Sequence, residues 1–103
     1  MMNKTTYVAG ICLLGSMLTG CGGSNEFTPV SGMDGVDIYA NACSSCHGEN
    51  GSGKFGFLLK LAGSEETTDQ IVGKIRNGGH IMPAFPNIDT QQAKLVADYL
   101  KSL

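Results

Sequence analysis

The sequence predicts an all-α domain built from three to four short helices. No stretch alternates apolar and polar residues for long enough to form a sheet. Apolar residues recur instead at helical intervals in three segments, near residues 34–42, 67–77 and 89–102. Glycine-rich stretches that are unsuited to regular structure separate these segments. The chain of 103 residues is long enough for one such domain and too short for two.

The first predicted helix begins at Asp34, which is placed to cap it, and ends near Ala42. The glycine-dense residues 48–53 predict a loop. We expect the apolar side chains of residues 55–61, which follow, to form one wall of a central site.

The second predicted helix begins near Thr67 or Thr68 and ends at Asn77, where two glycines stop it. The last one runs from Asp89 to Ser102, with a cap at Asp89 or the residue after it and a glutamine near the capping-box position. We expect this last helix to cover the first.

Residues 1–20 have the organisation of an export signal: Lys4 near the start, an apolar run over 5–18, and small residues at the exit. The residues Leu-Thr-Gly-Cys that end at Cys21 resemble a bacterial lipobox, in which the cysteine thiol receives a diacylglycerol and becomes the new N-terminus. The alternatives are an ordinary secretory signal with a chance cysteine, or a single anchor helix that is never cut.

The predicted organisation is therefore a signal peptide over 1–20, a lipid-anchored flexible tether over 21–33, and a domain over 34–103. The tether is predicted because this stretch is poor in large apolar side chains. The mature protein is expected to be exported and to face the periplasm or the cell exterior, anchored to the membrane by lipid on Cys21.

Composition excludes several classes of protein. The net charge of −2, without any Lys/Arg cluster, lacks the electrostatic footprint of nucleic-acid binding. No apolar run of about 18 residues exists, which excludes a polytopic membrane protein.

A domain this short buries only a small core, so we expect a disulfide bridge, a bound metal or a cofactor to stabilise it. Once the signal is cut and Cys21 carries lipid, only Cys43 and Cys46 remain for the fold, and they are too close together in sequence to staple it.

Those two cysteines belong to the motif Cys43-x-x-Cys46-His47, the attachment pattern of covalent c-type haem. Cysteines three apart on one helical turn present both thiols to one edge of a porphyrin, and the histidine that follows lies under the iron as the proximal ligand. A thioredoxin-like motif would need a βαβ context, which is absent. A zinc site that also used His80 would need two adjacent residues to bind one ion.

The second axial ligand is predicted to be Met82. The mature chain offers only two methionines, Met33 and Met82, and one further histidine, His80. Met82 lies in the Gly- and Pro-containing residues 78–85, a composition suited to a loop that approaches a flat cofactor. The alternatives are ligation by His80, which we expect instead at the haem edge or in solvent, and a packing role for Met82.

From residue 32 to residue 103 the chain resembles a small class I monohaem cytochrome c. The matching motifs are Gly35-x-x-Ile38-Tyr39, Cys43-x-x-Cys46-His47-Gly48, Gly51-x-Gly53, Ile75-Arg76-Asn77-Gly78, Met82-Pro83-Ala84-Phe85 and Tyr99-Leu100. The resemblance implies one covalently bound haem c, and first and last helices that cross with an aromatic side chain, here Tyr99, packed against Gly35. The chain departs from the family in having no Trp and no Pro over 55–61. No residue is therefore assigned to the haem propionates, although Arg76 is a candidate neighbour.

His/Met ligation predicts a one-electron carrier and not an enzyme, because both axial positions of the iron are filled. The resemblance implies redox partners such as quinol-oxidising cytochrome complexes, terminal oxidases or reductases, and the protein is expected to be a monomer. One alternative is a haem enzyme or a gas-binding sensor with an open or labile distal site. Another is a non-haem metal-binding or structural lipoprotein. A further alternative keeps the haem chemistry and changes the role: the domain serves as a fixed subunit of a larger respiratory complex.

Overall fold

The computed structural model describes residues 24–54 and 59–103. These ranges contain no strand, and the all-α prediction is confirmed. The helices are α1 (Gly35–Ala42), α2 (Ser44–His47), α3 (Thr68–Asn77) and α4 (Thr90–Lys101), with a 3₁₀ turn over Glu49–Gly51. Cys21, the predicted signal peptide over 1–20, and residues 55–58 of the predicted wall lie outside the described residues. Within the described ranges, no helix has the length and apolar character needed to cross a membrane.

The three longer helices begin where their capping residues predict. The Asp34 side chain accepts a hydrogen bond from the backbone N–H three residues on, at the start of α1. Reciprocal capping boxes start the other two helices, Thr67 with Gln70 at α3 and Asp89 with Gln92 at α4. Each cap satisfies N–H groups that have no partner within the helix, so these start points follow from local chemistry.

The hydrophobic core lies where α4 packs against both α1 and α3. Its largest fully buried side chains are Ile38, Ile88 and Val96. The buried apolar residues are Ile38, Tyr39, Cys43, Ile71, Ile75, Phe85, Ile88, Ala93, Val96, Ala97 and Leu100. The expectation that the last helix covers the first is met by the packing of α1 on α4.

The two helices approach most closely at Gly35. A Cβ atom built there would lie 2.1 Å from the backbone oxygen of Leu95 on α4, a distance that no side chain can occupy. The expected aromatic contact differs in detail, because Tyr99 packs edge-on against Tyr39, with ring centroids 5.3 Å apart and an interplanar angle of 63°. This contact lies one turn along each helix from the contact between Gly35 and Leu95.

Both tyrosines also reach the loop that follows His47. The Tyr39 hydroxyl donates to the carbonyl oxygen of Gly48 at 2.7 Å, and the Tyr99 hydroxyl donates to Oδ1 of Asn50 at 3.0 Å. The pair therefore joins the helix crossing to the segment that carries the haem-attachment motif.

The buried phenol predicts a pH dependence of stability. Burial raises the pKa of Tyr39 above its ordinary value of 10.0. As the pH rises past about 10, the phenol ionises in the unfolded chain before it does so in the folded one, so stability falls. At pH 8 we expect Tyr39→Phe to be less stable than the wild type by about 1 kcal/mol, because one hydrogen bond is missing. Between pH 8 and high pH, the free energy of unfolding should fall less in Tyr39→Phe than in the wild type. Denaturant unfolding of both proteins at pH 8 and at high pH measures this difference; equal losses in both would contradict it.

An N-terminal strap, defined here as residues 24–29, lies against the loop that precedes α4. Ser24 forms an isolated parallel bridge with Ala84, and the Asn25 N–H donates to the Ala84 carbonyl at 2.8 Å. Further along, Nδ2 of Asn87 donates to the backbone oxygen of Glu26 at 3.2 Å. These contacts fall within the predicted tether of 21–33, whose limits stay a prediction.

Candidate functional site

The Cys43-x-x-Cys46-His47 motif lies at the junction of the first two helices. The Cys43 N–H donates to the Tyr39 carbonyl as the last turn of α1, and the His47 N–H donates to the Cys43 carbonyl at 3.0 Å within the next turn. Cys43 is buried, whereas Cys46 and His47 are half-buried. One helical turn therefore carries all three side chains, as their spacing predicts.

A cavity of about 540 Å³ opens beside this turn. Cys43 and His47 lie in its wall together with Met82, and a smaller adjoining cavity is lined by Cys46, His47 and Met82. The apolar part of the larger wall comes mainly from α3, α4 and the loop before α3: Leu59, Leu61, Ile71, Ile75, Val96 and Leu100. The structure thus brings the four predicted site residues to one connected space, although they come from two segments far apart in sequence.

His47 is oriented by a backbone group. Its Nδ1 lies 2.7 Å from the carbonyl oxygen of Leu59. Because a carbonyl can only accept, Nδ1 carries the proton and Nε2 is the nitrogen available to a metal ion. Such a second hydrogen bond fixes the plane of the imidazole and increases its basicity as a ligand. Sequence reasoning did not find this partner, since any residue type supplies a backbone carbonyl.

The Met82 loop, defined here as residues 78–87, is folded tightly at its start. Gly78 has φ +73°, and a Cβ atom there would lie 2.8 Å from both the Ala84 nitrogen and the Met82 oxygen. The Gly79 N–H donates to that same Met82 oxygen at 2.9 Å. Glycine at 78 is therefore required for the path that brings Met82 to the cavity.

The structure distinguishes the three candidate distal ligands by position. Met82 is half-buried and lines both cavities. His80 lines only the larger cavity and is exposed, and Met33 lines neither. Met82 is the one of the three that lines both cavities together with His47.

Arg76, the candidate neighbour of a haem propionate, joins two helices. Its guanidinium donates to the Thr90 hydroxyl at 2.7 Å, which links the end of α3 to the start of α4, and it does not line the larger cavity.

Three lysines line the larger cavity instead: Lys60, Lys74 and Lys101. The Lys74 ammonium pairs with the Glu66 carboxylate, and the Lys101 ammonium lies 3.5 Å from the Glu66 backbone oxygen. This polar group escaped sequence reasoning because its members come from a loop and two different helices. It supplies positive charge where an anionic edge of a ligand could lie.

The Cys43 thiol lies in an environment that favours its protonated form. Burial, with a smaller contribution from the neighbouring Cys46, raises the pKa of Cys43 to about 12. Among residues 24–54 and 59–103, no group of three or more His, Cys, Asp or Glu side chains is arranged to hold a metal ion.

Comparison with known proteins finds relatives among the cytochromes c. Residues 31–100 match the family model described as cytochrome c oxidase, cbb3-type, subunit III. The chain is 34% identical over 76 residues to cytochrome c6 of Euglena viridis, an alignment that covers 66% of this chain and 87% of that protein. It is 42% identical over 48 residues to cytochrome c-550 of Bacillus subtilis, which covers 47% of this chain and 40% of that protein.

Two solved structures share the fold. A mutant of OmcF superposes with a TM-score of 0.59 and 26% identity, covering 70% of this chain and 96% of that one. The KustC0563 c-type cytochrome superposes with a TM-score of 0.58 and 22% identity, covering 68% of this chain and 96% of that one.

Proposed function

Because this chain belongs to the class I monohaem c-type cytochromes, electron carriers with a covalently bound haem c, we propose that it carries single electrons as a membrane-tethered protein whose iron is ligated by His47 and Met82. The bound haem supplies a one-electron ferric/ferrous couple. The observation that carries the proposal is the cavity of about 540 Å³ with Cys43, His47 and Met82 in its wall.

Covalent attachment is assigned to Cys43 and Cys46. Both lie on the turn that also carries His47, so thioether bonds from these sulfurs would hold the cofactor beside the imidazole. The apolar wall of the cavity would exclude water, and Lys60, Lys74 and Lys101, one of them paired with Glu66, would supply positive charge for the propionates.

The two axial ligands set the chemistry. The Leu59 carbonyl holds the imidazole of His47 through Nδ1. Nε2 is therefore free to bind the iron without a change in the orientation of the ring. The Met82 thioether favours the ferrous state and raises the reduction potential. With both positions filled, a substrate reaches the iron only by displacing Met82, which supports a carrier function over an enzymatic one.

Membrane attachment is assigned to a lipid on Cys21, with more than one acyl chain needed for stable anchoring. A protein held in this way meets partners in the same membrane at high local concentration, so tight binding is unnecessary. We propose quinol-oxidising cytochrome complexes, terminal oxidases or reductases as the classes of donor and acceptor. The exposed side chains of His80 and Ile81 lie at the mouth of the cavity, where such a partner would contact the domain.

The test compares two methionines under the same substitution. Met82→Leu is expected to abolish the weak far-red iron–sulfur charge-transfer band of the ferric protein. It should also lower the reduction potential by about 0.1 V or more, within the range of about 0.8 V over which axial ligands act. Met33→Leu, the matched control, should leave both unchanged because Met33 lines neither cavity. Visible spectra and a potentiometric titration of the haem-loaded proteins measure the two effects.

Two outcomes would contradict the assignment. A band that survives in Met82→Leu would place another sulfur on the iron. A wild-type protein that binds haem but lacks the band would have His80 or an open position in place of Met82, and the alternative of a haem enzyme or gas-binding sensor would then be favoured.

A further inference from the structure

We propose that the face formed by the N-terminal strap and the Met82 loop rests on the lipid bilayer that anchors Cys21. The domain would then hold one fixed side toward the membrane and would not rotate at the end of a flexible tether. This inference depends on the lipid anchor of the proposed function, and it adds an orientation that the anchor alone does not specify.

The first support is the length of chain between the anchor and the domain. Ser24 pairs with Ala84, and the next residue donates to the Ala84 carbonyl at 2.8 Å. Only three residue steps separate Cys21 from Ser24. A fully extended chain covers at most about 11 Å in three steps. The lipid-bearing residue therefore lies within that distance of the point where the strap meets the Met82 loop.

The second support is the fixation of the strap along its length. Asn87 donates to the Glu26 backbone oxygen at 3.2 Å and lies 3.4 Å from its carboxylate. Phe27 packs against the core, and Pro29 is buried. These contacts act in sequence from residue 24 to residue 29, so the strap does not swing as a free linker and the domain turns with it.

The direction of α4 shows which side is remote from the membrane. Its N-terminal end begins just after Asn87, beside the strap, and its 12 residues span about 18 Å. At the other end, the Leu103 side chain lies near Gly51. The C-terminal residues and the 3₁₀ turn therefore lie well away from the anchored face.

The anchored face presents an apolar side chain. Ile81 is 65% exposed and lies three residues from Ala84 in the Met82 loop. Three residue steps are at most about 11 Å, so Ile81, which also lines both cavities, lies within that distance of the contact between the strap and Ala84. An exposed aliphatic side chain beside acyl chains inserts at the headgroup boundary, which is where interfacial proteins bury their apolar residues.

The consequence concerns access to the haem. The cavity mouth beside Ile81 would open close to the headgroups, so a partner reaches it by lateral approach along the membrane. This limits the redox partners that exchange electrons through this opening to proteins embedded in, or attached to, the same membrane.

The experiment uses a single reporter thiol in the lipidated, haem-loaded full-length protein. Cysteine introduced by Ile81→Cys is labelled with a bulky polyethylene glycol maleimide after reconstitution into phosphatidylcholine vesicles. The reference is the same substitution in a protein whose residues 1–21 are replaced by a cleavable secretory signal, so that it carries neither the lipid nor Cys12 and is not attached to the vesicles. The labelling rate at position 81 is expected to fall about tenfold or more in the attached protein. Ser102→Cys, the matched control at the far end of α4, should label at the same rate in both. Glu26→Cys gives a second reporter on the anchored face if Ile81→Cys disturbs haem binding.

The outcomes separate this proposal from the one it depends on. Failure of the wild-type protein to float with the vesicles would refute the lipid anchor itself. Flotation with equal rates at position 81 in attached and released protein would show a domain that rotates freely and would overturn the orientation. Equal slowing at positions 81 and 102 would also overturn it, as would protection of position 81 in the released protein, where a second copy or the domain itself must cover the site.

Discussion

A chain in which Cys43 and Cys46 are both replaced by alanine is expected to be colourless and unfolded. The cavity of about 540 Å³ is large relative to a core whose biggest fully buried side chains are isoleucine and valine. Without the cofactor the apolar wall of this cavity is exposed to water, which costs about 25 cal/mol for each Å² of apolar surface, in a domain whose total stability is only about 5–15 kcal/mol. The fold therefore depends on the group that fills the cavity.

Far-ultraviolet circular dichroism and the Soret absorption, recorded on protein made with haem-attachment machinery, measure the two losses. Ser45→Ala is the matched control, because it changes an exposed position inside the same motif and should keep both signals. A double variant that is stable and helical without haem would show that the core is sufficient by itself.

Gly35→Ala is expected to destabilise the haem-loaded protein by about 3 kcal/mol, at the upper end of what overpacking costs. The added Cβ would lie 2.1 Å from the Leu95 backbone oxygen and 2.5 Å from its carbonyl carbon. Backbone atoms inside a helix cannot rotate away, so α1 and α4 must separate. This separation would also strain the contact between Tyr39 and Tyr99 one turn further along.

Gly73→Ala provides a control of opposite sign. Gly73 lies inside α3, and a Cβ atom there meets nothing within 4 Å. Alanine in place of a helical glycine stabilises by about 0.5–1 kcal/mol. Chemical denaturation of both variants measures the two changes. Equal changes in the free energy of unfolding at positions 35 and 73 would mean that helix propensity determines both. The close approach of α4 at Gly35 would then have no effect on stability.

Local chemistry explains what sequence reasoning predicted well. Capping side chains act within four residues of themselves, so the starts of α1, α3 and α4 could be predicted from Asp34, Thr67 and Asp89. The haem motif is equally local, since its three side chains share one helical turn. The position of Met82 at the cavity could be predicted because its loop has a distinctive composition, while its role as a ligand stays a prediction.

The features that sequence reasoning missed depend on tertiary geometry. The hydrogen bond from His47 is accepted by the backbone carbonyl of Leu59. Every residue type has such a carbonyl, so the sequence does not identify the acceptor. The placement of Arg76 beside Thr90 depends on how α3 and α4 meet, and helical periodicity alone does not determine this. The strap contacts join Asn25 to Ala84 across most of the domain, although the composition of the segment indicates a linker.

The packing of α1 on α4 also determines when the protein can fold. The two helices are separated by almost the whole length of the domain, so closing the chain between them costs entropy before either gains a partner. A growing polypeptide that has not yet reached Val96 and Leu100 has no surface on which Ile38 and Tyr39 can bury. Folding therefore requires the C-terminal helix as well as the cofactor, and chain lengths that lack this helix remain open. Loss of the last dozen residues would remove the partner of the first helix, which makes the C-terminus of this domain an integral part of its core.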